Sequence, residues 1–559
     1  SAEEEGLRRG QRGHTMALAD DAVTLKLDGL IGFSGDVPGG LKVVRSPNLP
    51  GDREWLVYPL GSQVVVRQSG TSRGKSNLTF LTGHNDDVSC VCVSRDGRTL
   101  VTGQTAVQGV MSDVLVWDLA EACECALSGD SQGGERALKH RLRQHKSGVQ
   151  AVAINCNDTF LATLGGRDDN ALVIWDLDSG EAICGQPAAA ESGLAMAWLR
   201  ENPDRVVTCG ARHLRVWVVD VSLPKLHPMD AITGALKRIM ISVTIGSGDE
   251  FAYVGTTTGE VLKFSIDRDG IQGPNDPDRT RPRYREISRA KCSQGVTAIM
   301  LLINPDNGRD TIVVGGGDGS IALFSENLKP IGGKKETLMG GVTSIAASED
   351  DADVFTASTV EGNRYRIAVK PWQADLMTTA HVGVVKDCCF APNFSGIFVT
   401  CSAGGDIRVW NTQKRVELLR IRVPNLECNA ILVSSGGDSI ISGWSDGRVR
   451  AFLPETGKLK FVINDAHTKL PNDKDNNGCT ALAIVPNERP SGSYVLMTGG
   501  GDGRVRAWRV TSSHQAMLFS IKDHRKPVTA IKVAPDGQTA ISASADGSCL
   551  CFELDPAPG

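Results

Sequence analysis

His84, Asp96, Thr102 and Trp117 bring an imidazole, a carboxylate, a hydroxyl and an indole N–H into one short stretch of chain. Such a set would suit acyl transfer if the histidine took the hydroxyl proton and the acid held the imidazole in place. The same residue types return, however, at His145 with Trp175, at His381 with Trp410 and at His524 with Asp536. An enzyme seldom needs several copies of one site. Buried histidine and aspartate are costly unless paired, so repeated sets of this kind are expected to tie strands together. These ten residues are therefore assigned to a structural hydrogen-bond network, and none to catalysis.

Other apparent motifs lose their chemistry on inspection. Gly70-Thr71-Ser72-Arg73-Gly74-Lys75-Ser76 falls one residue short of a phosphate-binding loop, with Ser69 where the first glycine belongs. A phosphate loop also needs a following helix N-terminus, whereas Leu78-Thr79-Phe80-Leu81 has strand character. The glycine runs at 315–319 and 499–503 read as hairpin turns. The 15 cysteines include no Cys-x-x-Cys pair, and alternate pairs such as Cys90 and Cys92 read as small apolar residues on one strand face. No zinc site is expected, nor any nucleotide or other cofactor. Reduced thiols imply the cytoplasm, which makes the Asn-x-Ser/Thr triplets at Asn77, Asn157 and Asn393 chance matches.

A chain of 559 residues predicts two large domains. Its net charge of −5 gives no general attraction to nucleic acid or anionic membrane. The longest aliphatic run, near Ile299 to Ile303, is too short to span a bilayer. Residues 1–22 read as a disordered tail without a signal peptide, and Met16 is a candidate natural start. Partners are expected to be proteins rather than nucleic acid, membrane or a small-molecule substrate.

The elements that must position these residues come as an internal repeat. One unit runs from Gly83-His84 through an apolar strand at 88–93, the turn Arg95-Asp96-Gly97 and a strand at 99–103, closing on Val116-Trp117-Asp118. About eleven copies follow at the spacing of propeller blades. Asp-Gly pairs at 318–319, 446–447, 502–503 and 546–547 mark tight turns between alternating apolar strands. No sustained helical period interrupts the repeat, so the fold is expected to be all-β. Residues 23–373 are assigned to a first, seven-bladed propeller and 374–559 to a second, incomplete or open one of about four blades. A strand within 25–33 is expected to latch the last blade of the first ring. The four remaining units predict a truncated chain or an open arc with an exposed apolar face.

Two insertions depart from the repeat. Residues 124–143 form an over-long link ending in Lys139-His140-Arg141-Leu142-Arg143. Residues 267–291 carry Arg279, Arg281, Arg283 and Arg285 around Pro282 and Tyr284. A solvated loop is the simpler reading of such a charge run. The functional alternative is a basic arm whose arginines dock on an acidic protein surface.

These units resemble WD repeats, in which the histidine, hydroxyl, tryptophan and aspartate form a buried network within each blade. The fold expectation is therefore tandem WD40 β-propellers. The segments at 28–40, 181–189 and 254–260, and above all 439–458 running on to Val462-Ile463-Asn464-Asp465-Ala466-His467, go beyond WD grammar. They resemble the cilia- and flagella-associated protein fifty-two family, WD-repeat proteins of motile cilia. That resemblance covers about residues 24–554. It implies a microtubule inner protein in the B-tubule lumen of axonemal doublets, contacting tubulin and neighbouring luminal proteins and bracing the lattice. The family brings no catalytic residues or cofactors. The competing expectations are a general WD-repeat adaptor, or a propeller bound to the outer surface of microtubules.

Overall fold

The computed structural model describes the chain apart from residues 1–26, 71–76, 107–109, 131–132, 190, 232–236, 267–282, 292–293, 304–307, 349–352, 393, 469–477, 487–492 and 555–559. For 283–291 and 333–336 only the backbone is described. The described residues are nearly all β, as the patterning predicted. Thr99–Gln104 and Ser112–Asp118 are buried along almost their whole length, as befits the middle strands of a sheet covered on both faces. The fourth strand of that sheet, Leu138–His145, alternates buried and wet residues because it lies at the rim.

Among the described residues there are eleven antiparallel sheets, ten of four strands and a last one of three. Seven lie between Lys42 and Thr378, and four between Val385 and Glu553. The first strand of each sheet packs on the first strand of the next: Val88–Val93 on Val149–Ile154, then Gly193–Trp198, and onward to Val342–Ala347. Lys42–Val44 touches both Val88–Val93 and Val342–Ala347, bringing the first and seventh sheets together. From Val385–Ala391 a second succession runs through Cys428–Val433 and Cys479–Val485 to Val528–Val533. The apolar core is correspondingly a series of clusters between neighbouring sheets, as with Trp55, Val64, Leu100 and Trp117 between the first two.

No latch strand appears among the described residues of the segment where one was expected. Residues 27–33 form no strand, and the seventh sheet takes all four of its strands from Val342 to Thr378. The glycines at 29, 32 and 35 weaken strand propensity there. The junction is instead made just downstream. Gly39 N–H donates to the Thr343 carbonyl (2.9 Å) and Leu41 N–H to Ser344 Oγ (3.2 Å), while Ser348 Oγ donates to Glu54 Oε1 (2.5 Å). The expected division at 373/374 falls inside the strand Gln373–Thr378, the fourth of the seventh sheet.

The link at 124–143 is also corrected: part of it is helical. Helix Leu119–Ser128 is capped by Asp118, which accepts from Ala120 N–H (3.0 Å) and Glu121 N–H (3.2 Å), and it stops at Gly129, φ +81°. Leu119, Ala122, Cys123 and Ala126 recur at helical spacing and fill the core between the first two sheets. Docking onto that core holds the helix in an otherwise β chain.

Candidate functional site: buried hydrogen-bond sets and interaction surfaces

In the second, third, eighth and tenth sheets a middle strand aims a hydroxyl into the space between a histidine and a tryptophan. His84 Nε2 lies 2.6 Å from Thr102 Oγ1, which accepts from Trp117 Nε1–H at 2.9 Å. His145, Thr163 and Trp175 repeat this at 2.8 and 2.9 Å, and His381, Thr400 and Trp410 at 2.5 and 2.8 Å. His467, Thr498 and Trp508 form a further set, at 2.9 and 3.1 Å, that sequence reasoning missed. Ala466-His467 repeats the Ala380-His381 pair, but His467 stands twelve residues before its first strand at Cys479, where His381 and His524 stand four before theirs. His524 meets Ser542 Oγ at 2.7 Å.

The acid member differs from expectation. Asp96 and Asp536 lie outside these sets, in exposed turns between first and second strands. Asp96 Oδ1 accepts from Ser94 Oγ (2.6 Å) and Arg98 N–H (2.9 Å), and Asp536 Oδ1 from Gln538 N–H (3.0 Å). The histidines are joined at Nδ1 by Asp169 (2.5 Å), Asp406 (2.9 Å) and Asp502 (2.9 Å), and His84 by Gln104 (2.9 Å). Asp169 and Asp502 sit in the opposite turn, between second and third strands, while Gln104 ends a second strand and Asp406 opens a third strand beside that turn. The Asp-Gly pair at 502–503 was a visible signal for that position.

The sets offer little to a substrate. Thr102 and Trp117 are fully buried and His84 nearly so. Burial pushes the His84 imidazole down to about 4, keeping it neutral near pH 7, and burial likewise lowers His467. Burial acts to raise Asp406, yet the hydrogen bond and charge of His381, with Ser402 and Arg408, hold its carboxyl below the usual range. A pH dependence follows for His84. Its folded-state value lies below its ordinary one, so the unfolded chain binds the proton first. The second sheet should therefore lose stability as pH falls from about 6.5 to about 4. Hydrogen exchange in Thr99–Gln104 should rise over that window, and less so in a His84→Asn variant. Equal slopes in the two proteins would show that His84 is not the responsible group.

Residues 75–107, 136–176, 374–411 and 515–553 match the WD domain, G-beta repeat. The chain is 38% identical over 535 residues to cilia- and flagella-associated protein 52 of Chlamydomonas reinhardtii, covering 95% of this chain and 78% of that protein. The same-named proteins of Bos taurus and Homo sapiens are 36% and 35% identical, over 96% and 95% of this chain and 77% of each relative. This chain belongs to the cilia- and flagella-associated protein 52 family. The WD-repeat reading and the family resemblance both stand on these matches.

In this member of the cilia- and flagella-associated protein 52 family, carboxylates also clamp adjacent sheets. Asp158, at φ +59°, accepts from Arg95 N–H (2.8 Å) and Asp96 N–H (2.9 Å) in the preceding sheet. Asp249, at φ +58°, accepts from the backbone N–H groups of Arg200 (2.6 Å), Glu201 (2.9 Å) and Asn202 (2.9 Å). Aspartate tolerates that left-handed backbone better than most residues, which suits it to the tip of a turn.

The basic surfaces are partly consumed by the fold. Lys139 to Arg143 is strand rather than arm. Arg141 and Arg143 both pair with buried Asp113, the latter at 2.6 Å, and Lys139 pairs with Asp118 at 3.1 Å. In the second insertion, Arg279 and Arg281 lie outside the described residues. Arg283 and Arg285 stand on Arg283–Lys291, the fourth strand of the fifth sheet, in register with Ser265 and Lys263. Residues 283–291 of the expected loop are therefore a sheet-edge strand. The residues around Gly74 also fall outside the description, and Leu78–Leu81 downstream is a strand. Among the described residues no group of three or more His, Cys, Asp or Glu is placed to hold a metal. No described helix is long and apolar enough to cross a membrane.

Proposed function

We propose that this chain is a non-catalytic scaffold of the ciliary axoneme, a microtubule inner protein that binds tubulin and other inner proteins in the B-tubule lumen of doublet microtubules. The observation that carries this reading is the 35–38% identity, over about 95% of the chain, to proteins named for cilia and flagella. The physical character of the fold agrees with a bracing role. Sheet packs on sheet through apolar clusters, five of the sheets are pinned by buried hydrogen-bond sets, and the hydroxyls and imidazoles of those sets are largely buried. In this reading the first seven sheets make a closed ring and the last four an open arc. Arg279, Arg281, Arg283 and Arg285 are the proposed partner contact.

Stepwise salt extraction of isolated axonemes tests the location. A lumen protein should stay with the doublets through high salt, whereas an outer-surface electrostatic binder should be released as screening rises. Release at moderate salt, with the doublets intact, would favour the outer-surface alternative. Replacing the four arginines with serine should weaken incorporation into doublets without lowering the melting temperature. Unchanged incorporation would return them to an ordinary solvated edge.

A further inference from the structure

A cavity of about 530 Å³ opens where the eighth sheet meets the junction of the first and seventh. Leu30 to Phe33 form one wall, Tyr58 and Arg67 of the first sheet another, and Arg364 of the seventh sheet the floor. Lys414 and Arg415 overhang it from the eighth sheet. The size lies within the range of ligand pockets, and the charge inside it is unbalanced.

Its acids are committed elsewhere. Glu417 accepts from Thr379 Oγ1 (2.6 Å), Arg408 Nη1 (3.0 Å) and Arg420 Nε (2.7 Å), and Asp28 pairs with Arg415. Glu54, the acid within electrostatic reach of Arg364, accepts from Ser348 Oγ. Arg67 and Arg364 form no ion pair among the described residues. Arg67 stands near enough to act against the Arg364 charge, and the Tyr58 hydroxyl lies beside both, hydrogen-bonded to Arg67. Arg364 Nε is buried and has no hydrogen-bond partner. Burial lowers the Arg364 guanidinium to about 10, with Arg67 acting in the same direction and Tyr58 and Glu54 opposing it too weakly to offset burial. Arg364 is half-buried, and a guanidinium there without an ion-pair partner costs stability that an apolar side chain would not.

The rim adds a second requirement. Leu376, Met377 and Val416 line the mouth and are 44%, 46% and 45% exposed, and Leu418, 56% exposed, lies one strand position beyond. We propose that this cavity receives an acidic side chain of a protein partner, its carboxylate between Arg364 and Arg67 and its apolar neighbours on the Leu376–Val416 rim. A free phosphate or acetate would satisfy the guanidinium groups but leave the rim uncovered. A peptide meets both demands. The planar fork of each arginine suits a carboxylate, and exclusion of water by the apolar flanks would strengthen that contact.

The test uses the full chain against an array of blocked tetrapeptides carrying Asp or Glu between apolar residues, matched by an array with Asn or Gln. Binding to acidic members at least about tenfold tighter than to their amide counterparts is expected, and Arg364→Met should abolish the difference. Without peptide, Arg364→Met should melt higher than the parent, since it removes a half-buried charge that has no ion-pair partner among the described residues. A lower melting temperature would make Arg364 a structural residue and overturn the proposal. So would equal binding of acid and amide peptides, or no binding by any member. Inorganic phosphate serves as the small-anion probe. If it binds as tightly as the best peptide, the cavity is an anion site and not a peptide site. The acid–amide comparison on the unsubstituted chain stands even if Arg364→Met fails to fold, and Arg67→Met then replaces it. None of these outcomes depends on the ciliary location.

Discussion

Replacing Asp406 with alanine should cost the eighth sheet about 3–5 kcal/mol, because it strips buried cationic and imidazole groups of their shared acceptor. Asp406 Oδ1 meets His381 Nδ1 at 2.9 Å, and Oδ2 accepts from Arg408 Nε at 2.6 Å. Arg408 is among the largest fully buried side chains and would keep only Glu417, at 3.0 Å. Asp96→Ala supplies the contrast. It removes exposed turn contacts and should change stability by no more than about 1 kcal/mol. Hydrogen exchange read strand by strand suits a protein of stacked sheets, whose units open separately. Protection should collapse in Phe394–Ser402 and Asp406–Asn411 for the first variant, and stay unchanged in Thr99–Gln104 for the second. Comparable losses in the two variants would mean that turn geometry, not the buried acid, holds a blade together. Acid should imitate the first substitution. A carboxyl held below its ordinary value contributes stability above about pH 4, and that contribution fades as pH falls further.

Gly35→Ala should open the junction between the first and seventh sheets, at a cost of about 3 kcal/mol or more. A Cβ at Gly35 would fall on the carbonyl oxygen of Thr359 and within 2.9 Å of Gly362 N. Both are backbone atoms of the seventh sheet's turn, so no side-chain rotation relieves the clash. The neighbouring contacts, Gly39 to Thr343 and Leu41 to Ser344, depend on the same close approach. The measurement is a thermal melt together with limited proteolysis and exchange in Lys42–Val44 and Val342–Ala347. Gly436→Ala, where a Cβ meets nothing within 4 Å, is the control and should be neutral within about 0.5 kcal/mol. Unaltered protection across the junction in Gly35→Ala would show that the first and seventh sheets are not held together there.

The features that local spacing controls were legible without coordinates. Alternation along 505–508, the Asp-Gly turns and the recurrence of His84, His145, His381 and His524 are properties of short segments, and they determined the strands, the turns and the WD-repeat class. Segment 439–467 carried the family. Helix Leu119–Ser128 was legible in principle, from its 119, 122, 123 and 126 spacing and the Asp118 cap, but the surrounding β pattern masked it. What the sequence could not determine was which groups meet across turns. Asp96 and Asp406 are both aspartates next to turns, yet only the turn between second and third strands points its side chain back at a histidine. That direction is set by sheet twist and by the packing of the next sheet. The same holds for the junction, where residues 34–44 and not a latch strand bridge sheets about three hundred residues apart in sequence. It holds again for the cavity, whose cations come from three different sheets and share one space only because the chain folds back on itself.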